Sequence, residues 1–285
     1  MPPDAKRRRE KGRLFTTGHT SPGMRIALGI EYDGTAYNGW QRQRSGTGVQ
    51  ALLEEALAKV ADAPVEAHCA GRTDAGVHAE AQVVHFDTPA LRSTRSWLLG
   101  VNSNLPPDIN ALWAEFVADD FHARYSAKSR TYRYLILNRP VRSSLYRDRA
   151  WWIHRPLDAG RMQDAARYLH GEHDFSAFRA AGCQASTPRR EVYSVTIVPH
   201  GMWVVITVRA NAFLQHMVRN VVGLLVAIGA GDQPPEWADA VLKSRDRTRG
   251  GVAAPAQGLT LVEVEYPASA GVPASAASGL LTLNC

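Results

Sequence analysis

The chain predicts an α+β fold. Two ferredoxin-like halves, each a split β-α-β unit, join into one large mostly antiparallel sheet with helices packed on one face. Three observations carry this expectation. Over residues 24–117 the apolar period switches between two and about 3.6 in the order β-α-β-β-α-β. The same order recurs over residues 131–266. The 285 residues, 45% of them hydrophobic and 21% charged, also suffice for a sizeable core.

Residues 1–23 read as a disordered basic arm, charged and without periodicity. The first half follows over residues 24–123. Met24, Ile26, Leu28, Ile30 and Tyr32 alternate as a half-buried strand that Asp33-Gly34 ends. Val49, Leu52, Leu53, Ala56, Leu57 and Val60 form a helical stripe. The Gly46-x-Gly48 before it lacks the third glycine and the preceding strand of a dinucleotide site. Strands at 65–69 and 82–86, a helix near 94–101 and a strand near 109–117 complete this half.

The second half spans residues 124–267. Its strand at 131–137 leads to a helix through Met162, Ala165, Ala166 and Leu169, closed by Gly171. Strands at 192–198 and 203–208 make a hairpin around Pro199-His200-Gly201. Helices from about 213 to 228 and near 236–242 precede a closing strand at 259–266. Residues 268–285 are an Ala/Ser/Gly-rich tail.

The two halves differ in one place. The central hairpin of the second turns in a few residues, as hairpins commonly do. Its counterpart carries Ala70-Gly71-Arg72-Thr73-Asp74-Ala75-Gly76-Val77-His78-Ala79. A structural repeat does not require that insertion, whereas a site does. Gly71 and Gly76 allow positive φ or close approach to a ligand. Arg72 can keep the Asp74 carboxylate charged by proximity. An ordinary Asp-x-Gly surface turn is the competing reading of the loop alone.

The formal charge is +6, but residues 1–23 supply +4 of it. Clustering says more than the total. Between Arg124 and Arg155 nine basic residues face one acid, Asp148, a plausible polyanion surface. Three widely spaced cysteines, Cys69, Cys183 and Cys285, give neither a disulfide framework nor a zinc ribbon, and a reducing compartment fits. The first residues lack the apolar core of a secretory signal. The most apolar run, residues 221–230, is too short for a membrane span. A soluble cytoplasmic protein is expected. His68, His78 and His85 fall near one hairpin, yet no helical pair or cysteine partner supports a metal.

A single ionised carboxylate suits nucleophilic attack, or stabilisation of an electron-poor sugar carbon, where the leaving group needs no strong acid. Uracil is such a leaving group. Tyr132, inside Arg130-Thr131-Tyr132-Arg133-Tyr134, is either a half-buried strand residue or a base-stacking platform among arginines. Arg219 opens an otherwise apolar helix and calls for an anionic partner, either Asp74 or a phosphate. A noncatalytic RNA-binding protein would explain the basic run but not the loop; a nucleoside hydrolase would release free uracil.

Five ordered motifs together resemble the TruA-type tRNA pseudouridine synthases, from about residue 25 to residue 267. They are Tyr32-Asp33-Gly34 with Gly39-Trp40-Gln41-Arg42-Gln43; Gly71-Arg72-Thr73-Asp74-Ala75-Gly76-Val77-His78; Phe121-His122-Ala123-Arg124 leading to Tyr132-Arg133-Tyr134; Phe213-Leu214 with Met217-Val218-Arg219-Asn220; and Ala254-Pro255-Ala256-Gln257-Gly258-Leu259. The resemblance implies that Asp74 is the catalytic aspartate and Arg219 its basic partner. It implies that Tyr132 packs on the flipped uracil, that Arg72 intrudes where the uridine leaves the stack, and that Leu259 walls the pocket. Gln41 lies in the first motif and is expected on the substrate side. The family acts as a homodimer on the tRNA anticodon stem-loop at positions 38–40, without metal or cofactor. Residues 1–23 and the tail after Pro267 match nothing in the family's core.

Overall fold

Alternation beginning at Met24 produces β1 (Met24–Tyr32), the middle strand of the first half. The structure is a computed structural model that describes residues 23–43 and 45–273. The predicted basic arm, apart from Gly23, and the tail from residue 274 lie outside the described residues. The apolar stripe folds as α1 (Val49–Ala61), burying Val49, Leu53, Ala56 and Leu57. Next come β2 (His68–Cys69), β3 (His78–Thr88), α2 (Thr94–Asn102) and β4 (Ile109–Phe116). Ser93 caps α2 by accepting the Ser96 amide. The second half contains β5 (Ser129–Asn138), β6 (Trp151–Ile153), α3 (Ala159–Ala166), β7 (Gly171–Asp174), β8 (Arg189–His200) and β9 (Trp203–Ala210). It ends with α4 (Met217–Gly229), α5 (Trp237–Ser244) and β10 (Leu259–Glu265).

The sheet runs β4-β1-β3-β10-β5-β9-β8-β7, with β2 added to β3 and β6 to β5. It contains the ferredoxin-like order twice: β4-β1-β3-β2, then β10-β5-β9-β8. These neighbours are antiparallel within each half. At the seam, β3 and β10 are parallel. The two halves therefore follow one another in the same order and the same direction. Right-handed crossovers then place the helices of both on a single face. There α1 packs on α2, and α3 on α4.

The seam determines where the long loop emerges. β2 occupies the far end of β3, pairing His68 with His85 and Cys69 with Val84. β10 takes the near end, pairing Thr260 with His78 and Leu261 with Ala79. Residues 70–77 thus leave the sheet where the two halves meet.

Several elements depart from expectation. β6 and β7, of three and four residues, are too short to impose a period and were not anticipated. β2 is shorter than the predicted 65–69. Side chains of α1 take up the Ala67 backbone instead: its N–H donates to Glu54 Oε1 (3.0 Å) and its carbonyl accepts from Gln50 Nε2 (3.2 Å). α3 ends at Ala166 and passes into a short 3-10 turn at Arg167–Leu169, and Gly171, at φ +97°, opens β7 rather than closing the helix. α4 starts at Met217 rather than near 213, because His216 adopts the left-handed conformation at φ 62°.

The basic run is largely spent within the fold. Arg149 pairs with Asp33, Arg155 with Asp232, Arg147 with Asp148 and Arg133 with Glu80. Arg130 is buried among backbone carbonyls. Net charge along the sequence therefore overstates the positive surface. Among the described residues no helix is long and apolar enough to cross a membrane.

Candidate active site

The Asp74 loop is held by backbone contacts on both sides of the carboxylate. Ala70 N–H donates to Val83 O (2.8 Å), and Gln82 Nε2 donates to Gly71 O (2.6 Å). Trp40 N–H donates to Thr73 O (3.0 Å), Gly76 N–H to Tyr37 O (3.2 Å), and Val77 N–H to Asp74 O (3.1 Å). The buried Tyr32 hydroxyl shares a 2.8 Å hydrogen bond with Thr73 Oγ1. Residues 34–40 approach so closely at Gly34 and Gly39 that a side chain is excluded at those two positions. A Cβ on Gly34 would lie 2.0 Å from Val77 O; one on Gly39, at φ +93°, would lie 2.6 Å from Thr73 O. The Tyr-Asp-Gly and Gly-Trp motifs are therefore the mould of the loop. His78 closes it: Nδ1 accepts from Gly34 N–H (3.0 Å), so Nε2 carries the proton donated to the carbonyls of Asp148 (3.0 Å) and Gln257 (3.2 Å).

The second half supplies the basic groups. Asp74 Oδ2 lies 3.5 Å from His216 Nε2 and 3.7 Å from Arg219 Nη1, with 21% of the Asp74 side chain exposed. Arg219 is 17% exposed, and its Nε donates to Ala254 O (2.7 Å), which aims the guanidinium. Both partners sit at the start of α4, whose free amides and dipole also favour a carboxylate.

Tyr132 stands on β5 between Leu261 of β10 and Val208 of β9, only 7% exposed. Phe213 meets its ring edge-on at 5.1 Å. A Cβ on Gly71 would come within 3.7 Å of its hydroxyl, so the loop backbone passes close by. Burial first, and then the charges of Tyr32 and Asp74, raise the Tyr132 phenol pKa far above its usual value. Leu259 is buried opposite Tyr134, two register positions from the Leu261–Tyr132 pair and hence on the same face.

Asp74, Arg219 and Tyr132 are thus brought together, with Leu259 in the adjoining strand pair. Arg72 is exposed, and among the described residues the basic groups within 4 Å of Asp74 are His216 and Arg219. Gln41 is exposed and shares a depression with Arg42, Gln50, Pro64, Val65 and Glu66 that does not include Asp74. Sequence reasoning assigned His216 no place in the site, and named Phe213 only within a motif, without a role. No local pattern announces a non-glycine residue at positive φ, or an edge-on ring contact between residues 81 positions apart.

Behind the loop, His85 is buried with Nδ1 accepting from Ala123 N–H (3.2 Å). Desolvation, then His122, His68 and Arg25, depress its pKa from 6.5 to about 4. A histidine depressed in the folded state favours folding above its unfolded pKa. That contribution declines as pH falls from about 6.5 towards 4, because only the unfolded chain then takes the proton. Urea melts should lose up to about 3 kcal/mol across this window, less in so far as water reaches the ring, and His85→Gln should flatten that slope. An equal slope in the variant would remove His85 as the cause.

The family model for tRNA pseudouridine synthases matches residues 29–126 and 165–267. The chain belongs to the tRNA pseudouridine synthase family. Among its relatives, the tRNA pseudouridine synthase A of Coxiella burnetii (strain Dugway 5J108-111) is 56% identical over 249 residues, covering 87% of this chain and 95% of that protein. The same-named protein of Pseudomonas aeruginosa is 54% identical over 250 residues, covering 87% and 88%. That of Shewanella amazonensis is 54% identical over 250 residues, covering 88% and 96%. The segments matched to the family contain Asp74, Arg72, Gln41, Arg219 and Leu259; Tyr132 lies between them.

Proposed function

We propose that this chain is a tRNA pseudouridine synthase, an isomerase acting on uridines 38–40 of the anticodon stem-loop. The observation that carries the reading is the Asp74 carboxylate, fixed by backbone contacts at the seam and paired with the start of α4 beside Tyr132. The target uridine leaves the stack at a cost of a few kcal/mol, offset by stacking and backbone contacts. Asp74 acts at C1′, or as the base, while the N1–C1′ bond breaks. The uracil turns within the pocket, C5 bonds to C1′, the C5 proton leaves and N1 regains one. Atoms and electrons balance within the nucleotide, so the scheme calls for no co-reactant. Tyr132 packs on the detached uracil, Leu259 walls the pocket, and Arg219 pairs with Asp74 and orients it. The exposed Arg72 occupies the place of the flipped uridine, and Gln41 lies on the substrate side. Membership of the family and the resemblance of five motifs also support a cytoplasmic homodimer.

The test is tritium release from 5-tritiated uridine in a defined tRNA transcript. Release with pseudouridine in the digest is expected, and only when a uridine stands at 38, 39 or 40. Free uracil as product would favour hydrolysis instead, and binding without release a noncatalytic role. Within this scheme Tyr132→Ala should lower kcat/KM by roughly 5- to 150-fold, the worth of one stacked base, whereas Tyr132→Phe keeps most activity. Equal losses would move the role from the ring to the hydroxyl.

A further inference from the structure

A run of rings lies beside the catalytic loop and is not used by the chemistry above. Buried His85 stacks on His68 at 5.0 Å and 28°. His122 sits 4.6 Å from His85, and Tyr125 4.3 Å from His122. The run ends in the open, because Tyr125 is 75% exposed and His68 is exposed as well. The Arg124 guanidinium stands 5.5 Å from the Tyr125 ring centre.

The run is built rather than loose. His122 Nδ1 accepts the amides of Arg124 (3.1 Å) and Tyr125 (3.4 Å), which fixes the ring and its tautomer. Ala123 is tied by its N–H to His85 and by its carbonyl to the Tyr266 hydroxyl (2.6 Å). The turn is also joined to the active-site loop. The Arg130 guanidinium donates to Ala70 O (2.9 Å), Asn211 O (2.9 Å) and Arg124 O, so one buried cation spans both segments. His68 and Cys69 lead directly into residues 70–77.

Burial and neighbouring cations keep His85 and His122 below the usual imidazole range, so their rings are uncharged at neutral pH. An exposed aromatic face supported by ordered rings, and edged by a cation with no acid paired to it among the described ion pairs, matches the chemistry of an unpaired base with its phosphate. Charge complementarity favours RNA over an acid-poor apolar partner.

We propose that Tyr125, backed by His122 and flanked by Arg124, is a stacking platform for an unpaired base of the RNA that flanks the uridine presented to Asp74. This rests on the site being an RNA-modifying one. The platform anchors the loop at a second point, so it contributes to binding rather than to the bond-breaking step.

The experiment measures Kd for an unmodified tRNA transcript in the Asp74→Asn background, and steady-state tritium release in the otherwise wild-type enzyme. Tyr125→Ala should weaken binding about 5- to 150-fold and raise KM, with kcat at saturating RNA nearly unchanged. Tyr125→Phe should restore binding. The slope of log Kd against log salt should stay the same for Tyr125→Ala but fall by about one for Arg124→Ala. Tyr125 is exposed, so melting temperatures should not move. Unchanged binding in Tyr125→Ala, equal weakening in Tyr125→Phe, or an altered sedimentation coefficient marking a contact between copies would each overturn the platform. Absence of tritium release from wild type, with Tyr125-dependent binding intact, would instead strike the activity and leave the platform standing.

Discussion

Asp74→Ala should abolish tritium release, by more than about 10³-fold in kcat, while tRNA binding stays within a few-fold of wild type. The physical reason is division of labour. Affinity for RNA comes mainly from phosphate contacts, to which a carboxylate contributes nothing favourable. The reacting sugar carbon, by contrast, has one anionic group to meet. The loop should survive the change, because hydrogen bonds of its backbone and of Thr73 and Gly71 hold it, not the Asp74 side chain. Asp74→Asn keeps the shape and removes the charge, so it should be as inactive as the alanine variant. Filter binding alongside tritium release separates the two terms. Turnover retained in either variant would refute the assignment.

The second large effect is expected at Arg219. Arg219→Ala should cost about 10²- to 10³-fold in kcat, comparable to removing one preorganised electrostatic partner from a shielded site. The guanidinium acts twice: Nη1 faces Asp74 at 3.7 Å, while Nε donates to Ala254 O at 2.7 Å. Its loss leaves His216, among the described residues, as the basic group within 4 Å of the carboxylate, and leaves the Ala254 carbonyl without its guanidinium donor. Arg219→Lys restores a charge but not the two-sided grip, so it should recover only part of the rate. Full recovery in the lysine variant would reduce the role to net charge. Full activity in the alanine variant would remove Arg219 from the site.

The repeated strand and helix order was legible because most of its elements are long enough to show their own period. β1, α1, β5, β8 and β9 all span at least eight residues. β6 and β7 were not legible, since three or four residues define no period and owe their pairing to neighbours already in place. The excess length of the 70–77 loop was visible by comparing the two halves, and it drew attention to Asp74. Its partners were visible only in part. The sequence offered Arg72, adjacent in the chain, and Arg219, whose partner could equally have been a phosphate; the structure sets Arg219 against Asp74, adds His216, and leaves Arg72 exposed. The basic run is a related case: counting charges takes no account of the acids and carbonyls that fold against part of it, while others of the run, Arg124 among them, stay exposed.

Sequence alone determined the α+β architecture, the duplicated halves and the loop whose length no hairpin needs, since all three depend on local period and spacing. Only the tertiary structure decided what faces Asp74. The parallel seam between β3 and β10 brings α4 to the loop, and His216 turns into the left-handed conformation at its start. Charge acts through space over a few ångströms, and which side chains come that close is fixed by packing between the halves, not by their order along the chain.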